Sequence, residues 1–117
     1  MIEDKDNITG KYILKGHEPV EEPNLYKWGQ FMETGKRIVK QTVIKKHLVS
    51  TVFLGLDHNL NRPMRKVNKD YKPIIFETMI FDRSKEQKKI IDFQERYRTW
   101  DEAIEGHKKA VKLVKES

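Results

Sequence analysis

Two apolar runs joined by a long polar segment constrain the fold of this chain more than any other feature. The first run is residues 49–56 (VSTVFLGL) and the second is residues 74–81 (IIFETMIF). Both are rich in β-branched and aromatic residues and are too short for buried helices, so they predict strands. Because apolar residues fall on both faces of each run, we expect central strands with at least one face of the sheet covered by helix.

Weaker patterns predict the neighbouring elements. Residues 12–14 fit a short edge strand, and the two prolines that follow it predict irregular structure. Asn24 and Gly35 occupy cap positions of a helix. Apolar residues recur between these caps at helical spacing: Leu25, Trp28, Phe31 and Met32. Residues 36–44 alternate as a further strand, whereas residues 85–96 fit either a polar helix or a loop leading into a short edge strand.

The C-terminal segment carries the clearest helix pattern. Thr99 and Glu102 are spaced as a capping box at its start. One stripe then follows the i, i+3, i+4, i+7 spacing of a helix face: Trp100, Ala103, Ile104, His107, Ala110, Val111 and Val114. Since His107 lies on this apolar stripe, we expect it to be a buried, hydrogen-bonded histidine rather than a metal ligand.

Together these elements predict an α+β fold, with a small antiparallel sheet of three to four strands and two helices packed on one face. The chain has 117 residues, which is the length of one domain. We expect a flexible N-terminal tail over residues 1–10 and a single α+β domain over residues 11–117.

Composition narrows the class of protein. No apolar run approaches the about 20 residues that a membrane helix needs. The chain has no cysteine, and its first residues lack the basic start and apolar core of a secretory signal. We therefore expect a soluble protein of the cytoplasm that does not contact a membrane. Its glycines are scattered singly, so no phosphate-binding loop is present, and we expect no cofactor and no metal.

Charge is distributed unevenly along the chain. Residues 1–22 carry a net charge of −3, so the +6 of the whole chain leaves +9 on residues 23–117. A basic body of this kind favours phosphate-rich or acidic partners, although lysines also simply keep small proteins soluble. The candidates for binding nucleic acid or another partner are the cations around strand 36–44 and in the long loop, with one tyrosine for base stacking: Lys36, Arg37, Lys40, Arg62, Arg65, Lys66, Lys69, Tyr71 and Lys72.

A second possible site involves three residues near the strand ends. Asp57 and His58 follow the first apolar run, and Glu77 interrupts the second. If the two strands pair directly, these side chains and Thr51 or Thr78 would form a patch suited to general acid–base catalysis or to a weak metal site. The competing interpretation is structural, with Asp57 in an Asx-turn and Glu77 facing water.

Three motifs resemble a family of small uncharacterised proteins found in bacteriophages, prophages and other mobile elements. The motifs are residues 49–58 (VSTVFLGLDH), residues 76–81 (FETMIF) and residues 96–107 (RYRTWDEAIEGH). The resemblance covers most of residues 11–115, but the basic loop 59–72 and the lysine-rich segment 84–92 are longer than the family pattern. It implies an origin in a mobile element and assigns no catalytic residue.

The leading hypothesis from the sequence is therefore a non-enzymatic binding protein of phage or prophage origin. It would act in the host bacterial cytoplasm as a counter-defence inhibitor, similar to an anti-CRISPR protein, of a host nucleic-acid-handling protein or ribonucleoprotein complex. Two alternatives stay open. One is an accessory protein that binds DNA or RNA directly through the basic loop, and the other is a small enzyme or ligand pocket at Asp57, His58 and Glu77.

Overall fold

A computed structural model describes residues 10–59, 71–83 and 88–116, without the side chains of residues 88–92. Within these ranges the chain forms six strands and two helices. Their bounds are β1 Tyr12–Lys15, β2 Glu18–Glu21, α1 Leu25–Thr34, β3 Ile38–Ile44, β4 His47–Phe53, β5 Phe76–Asp82, β6 Lys88–Tyr97 and α2 Trp100–Glu116. The fold is α+β, as the sequence predicts.

The main sheet is an antiparallel meander in the order β3-β4-β5-β6. The two apolar runs supply its central strands β4 and β5, which pair in a register that places Thr51 opposite Thr78 and Phe53 opposite Phe76. Helix α2 packs across one face of all four strands. Phe31 of α1 meets Phe53 edge to face, with ring centroids 5.9 Å apart, so α1 joins the core on the face that α2 covers.

Strand β1 differs from the prediction because it pairs with β2 in a separate two-stranded sheet. Gly16 has a φ of 63° and His17 does not have a positive φ, which is the pattern of a tight hairpin turn with glycine first. Pro19 is accommodated because both strands of this hairpin are edge strands, where a missing N–H is tolerated. The prediction of irregular structure is therefore wrong for residues 18–21, whereas residues 22–24, which include Pro23, form neither helix nor strand.

Residues 88–97 form strand β6, so this segment is a strand and not a polar helix. At the start of α2, the predicted capping box is confirmed. The Thr99 hydroxyl accepts a hydrogen bond from the Glu102 N–H at 3.1 Å, and the Glu102 carboxylate accepts one from the Thr99 N–H at 3.0 Å. This reciprocal pair fixes the start of α2 directly after β6.

The core beneath α2 consists of two apolar clusters. One is built around Phe53, Phe76 and Ala103, and the other around Val49 and Ala110 with their neighbours. Between the clusters, α2 places a histidine and the central strands place two threonines. The core therefore contains a polar layer in the middle of an apolar interface, and this layer is described below.

Candidate functional site

Asp57 serves as a structural anchor at the end of β4. It is buried, and its carboxylate accepts hydrogen bonds from the backbone N–H of Asn59 and of Ile74, both at 2.9 Å. The Tyr71 hydroxyl donates a third bond to it. Burial, followed by this bond to Asp57, raises the pKa of Tyr71, so its hydroxyl stays protonated as the donor. Asp57 thus ties the two ends of the long loop together.

The structure does not bring Asp57, His58 and Glu77 into one hydrogen-bonded patch among the residues it describes. The His58 Nδ1–H donates to the Leu56 carbonyl at 2.8 Å. Glu77 accepts bonds from Gln94 at 2.7 Å and from Arg96 at 2.8 Å on β6. The His58 backbone N–H donates to the Ile74 carbonyl at 2.8 Å, and Ile74 lies three residues before Glu77, which is about 10 Å of extended chain.

A histidine does meet Thr51 and Thr78, but it is His107 of α2 rather than His58. The His107 Nδ1 lies 2.7 Å from the Thr51 hydroxyl, and its Nε2 lies 2.8 Å from the hydroxyl of Thr42 on β3. Thr51 also bonds to the Thr78 hydroxyl at 2.5 Å. His107 is 1% exposed, and both threonines of the central strands are fully buried.

This network favours a neutral imidazole. Burial, and secondarily the charge of Lys40, lowers the pKa of His107. A neutral imidazole donates through one nitrogen and accepts through the other, so both nitrogens are satisfied by the two threonine hydroxyls. The prediction that His107 is a buried, hydrogen-bonded histidine is confirmed. With both nitrogens engaged, it has no lone pair left for a ligand.

A basic groove lies directly over this network, between β3 and α2. Its cavity has a volume of about 370 Å³, with His107 and Thr42 in its lining. Its four cations come from both elements and all are exposed: Lys40, Lys108, Lys112 and Lys115. We call these residues the lysine groove. The three helical lysines follow the i, i+4, i+7 spacing, so they form one stripe beside Lys40.

Acidic residues neutralise this groove only weakly. Lys108 pairs with Glu105 at 3.3 Å and Lys112 with Glu116 at 4.0 Å, and all four of these side chains are more than half exposed. Exposed pairs of this kind contribute little and exchange readily with solvent ions. Among the described residues, no ion pair engages Lys40 or Lys115. Lys109, on the other side of α2, lies 3.7 Å from Glu95 instead.

The other predicted binding residues that the structure describes lie in two further places. Lys36 and Arg37 line a shallow cavity at the end of α1, away from Lys40. Tyr71 and Lys72 line a further cavity at the start of α2, together with Arg98 and Trp100. The remaining four predicted cations lie outside the described residues: Arg62, Arg65, Lys66 and Lys69.

Sequence reasoning missed the three helical lysines of the groove as binding residues. These lysines lie outside the apolar stripe that predicts the helix, where exposed lysines are common. Their i, i+4, i+7 spacing was the available signal, but the sequence does not show that this stripe borders Lys40 of β3. Arg98 was missed for a similar reason, because only the fold places it beside Lys72.

No group of three or more acidic or histidine side chains suited to a metal ion occurs in the described ranges. None of the helices in the described part of the chain has the length and apolar character to cross a bilayer. Comparison of the chain with protein-family models, curated proteins and solved structures gives no match.

Proposed function

We propose that this protein is a non-enzymatic binding protein that engages a host nucleic-acid-handling complex by holding nucleic acid in the lysine groove. The observation that carries the proposal is the convergence of Lys40 with the lysine stripe of α2 on one cavity. Lysine ammonium groups bind phosphates as point charges and supply most of the affinity of non-specific nucleic-acid binding.

The floor of the groove supports this assignment. Since the pKa of His107 is lowered, the imidazole is neutral near pH 7, and the positive charge of the groove comes from lysines alone. Lysines bind phosphate without a fixed geometry, so the groove favours a polyanion over one particular small molecule. The net charge of +6 adds long-range attraction to the same partners.

An enzymatic role at Asp57, His58 and Glu77 has less support. The Asp57 carboxylate is occupied by three donors, and Glu77 is bound to Gln94 and Arg96. A general base needs to reach a substrate proton at hydrogen-bond distance. Both carboxylates are already engaged by donors from the fold itself, which favours a structural role for them.

The salt dependence of binding to a short DNA duplex tests the proposal. A plot of log affinity against log salt concentration should slope downward, by about 0.9 for each phosphate contact. Lys112→Ala should flatten this slope by about one contact and weaken binding. Lys109→Ala is the matched control, because it removes the same charge from the same helix on the side that faces Glu95.

Equal slopes for the Lys112→Ala and Lys109→Ala variants would refute the lysine groove as the binding surface. The absence of binding to DNA and RNA at low salt would refute nucleic-acid binding itself. Both variants change exposed side chains, so thermal unfolding should show that their stability is within about 0.5 kcal/mol of the unmodified protein.

The biological role within this proposal is counter-defence in the host cytoplasm, which suits the mobile-element origin that the phage-family resemblance implies. Capture of the host complex by the tagged protein, with and without nuclease treatment, tests this role. If the groove acts through nucleic acid, nuclease treatment or the Lys112→Ala change should release the complex. A stable complex that resists both would show that the protein binds a host protein through another surface.

A further inference from the structure

A second cavity, separate from the lysine groove, lies at the N-terminal end of α2. It has a volume of about 480 Å³, within the range of sites that hold small organic groups. The turn of the β1–β2 hairpin forms one wall, residues 71–73 form another, and the start of α2 forms the third. We call this cavity the aromatic pocket.

Stacked rings dominate one wall of the aromatic pocket. His17 lies parallel to Trp100, with ring centroids 3.7 Å apart and an interplanar angle of 4°. Phe76 supports Trp100 from the core in an edge-to-face contact at 6.2 Å. His17 itself is exposed and lines the cavity, so a further ring can reach the stack from the solvent side. A supported stack with an open end accepts a further planar ring at low cost in ordering.

The charged residues of the pocket are of both signs. Lys72 and Arg98 both line the cavity, and the Arg98 guanidinium donates to the Lys72 carbonyl, which holds Arg98 against the backbone of Lys72. Glu18 and Asp101 also line the cavity. A nucleotide matches this combination, because its phosphate meets cations while the amino group of a base donates to carboxylates.

We infer that the aromatic pocket binds one unpaired base of a single-stranded nucleic acid. The base stacks on His17 and extends the stack begun by Trp100, with Lys72 and Arg98 beside its phosphate. A duplex keeps its bases stacked inside and cannot offer one to the pocket without unpairing. The pocket therefore gives the protein a preference for single strands, which the lysine groove alone does not provide.

The two cavities are placed to contact one strand. Both cavities lie along α2, because Trp100 in its first turn lines the pocket and Lys108, about two turns further on, lines the groove. From Trp100 to Lys108 the helix rises about 12 Å. This distance corresponds to about four nucleotides at the 3.4 Å spacing of a stacked strand. The inference rests on the proposed function, since it assigns to the groove the phosphates of the same strand.

The inference is tested by comparing the affinity for two probes at neutral pH and at the same salt concentration. The probes are oligo-dC of about 12 nucleotides and its duplex with oligo-dG. The informative variants are His17→Leu, which covers Trp100 with an apolar side chain but removes the stacking ring, and His17→Phe, which restores a ring. We expect His17→Leu to weaken oligo-dC binding about 5-fold or more. His17→Phe should stay within about 2-fold of the unmodified protein, and neither change should alter duplex binding.

The inference is overturned if His17→Leu binds oligo-dC as tightly as the unmodified protein, or if His17→Leu and His17→Phe weaken binding equally. Equal affinity of the unmodified protein for the single strand and the duplex also overturns it, while leaving the proposed function intact. Failure to bind either probe removes both proposals together. Since His17 is exposed, thermal unfolding of both variants should match the unmodified protein within a few degrees.

Discussion

Replacing Gly106 by alanine should destabilise this protein, although the same change at Gly29 should stabilise it. Both glycines lie inside helices, where alanine is favoured by about 1 kcal/mol. Their surroundings differ. A Cβ added at Gly29 meets nothing within 4 Å, whereas a Cβ at Gly106 would stand well under 3.0 Å from three atoms of the Tyr97 side chain. Gly106 therefore allows the close approach of α2 to β6.

The size of this loss of stability depends on how far the Tyr97 side chain would have to move and on which contacts it would lose. Its ring must retreat by about 1.5 Å to restore ordinary contact distances. Such overpacking costs about 1–3 kcal/mol, and loss of the bond from the Tyr97 hydroxyl to Glu95 adds about 1 kcal/mol. After the helix propensity gain of about 1 kcal/mol is subtracted, Gly106→Ala should lower the free energy of unfolding by about 1–3 kcal/mol.

Thermal unfolding followed by circular dichroism measures both changes. At about 4 °C per kcal/mol for a domain of this size, Gly106→Ala should lower Tm by about 4–12 °C, and Gly29→Ala should raise it by up to about 4 °C. In a Tyr97→Leu background, the cost of Gly106→Ala should shrink, because the clashing ring atoms are gone. An increase in Tm for Gly106→Ala alone would refute the close contact between α2 and β6.

Three further predictions concern the core. Thr51→Val should lower the free energy of unfolding by about 1–3 kcal/mol, because it leaves buried partners without a hydrogen bond. Thr51→Ser keeps the hydroxyl and should lower this free energy less, and urea unfolding measures both variants. The pKa of His107 is lowered from 6.5, so the imidazole of the unfolded chain is protonated first as the pH falls. Below pH 6.5 the free energy of unfolding should therefore decrease, by at most about 1.4 kcal/mol per pH unit, and this decrease should be smaller in His107→Gln. Trp100→Ala should lower Tm by at least about 8 °C, while Lys109→Ala changes it by less than about 2 °C.

The elements that the sequence predicts correctly are those with strong local patterns. Strands β4 and β5 are continuous apolar runs, and α2 begins at a capping box formed by Thr99 and Glu102. Strand β2 was missed because Pro19 argues against a strand wherever a ladder hydrogen bond is needed. Only the pairing of β2 with β1 in a separate sheet, where both strands are edges, removes that requirement.

The candidate sites depend on contacts that no local pattern specifies. The sequence left Asp57 open between a catalytic patch and an Asx-turn, and the structure shows the Asx-turn bond from the Asn59 N–H together with a bond from Tyr71, the residue predicted to stack on a base. The sequence offered Thr51 or Thr78 as a neighbour of His58, whereas direct pairing of the central strands brings both threonines to His107 of α2. His107 reaches Thr51 only through the packing of α2 on the sheet, which hydrophobic periodicity orients without fixing its position along the strands.

The buried polar layer determines where α2 lies along the strands, which hydrophobic packing alone does not determine. An apolar helix face can slide along a sheet by one turn, about 5.4 Å, and still bury similar area. Such a slide would separate His107 from the hydroxyls of Thr42 and Thr51 and leave buried polar groups unsatisfied, at about 1–3 kcal/mol each. The network therefore fixes α2 in one register. Because the lysine stripe and Trp100 are both carried by α2, the same hydrogen bonds that hold the helix also set Lys40 against the stripe and Trp100 against His17.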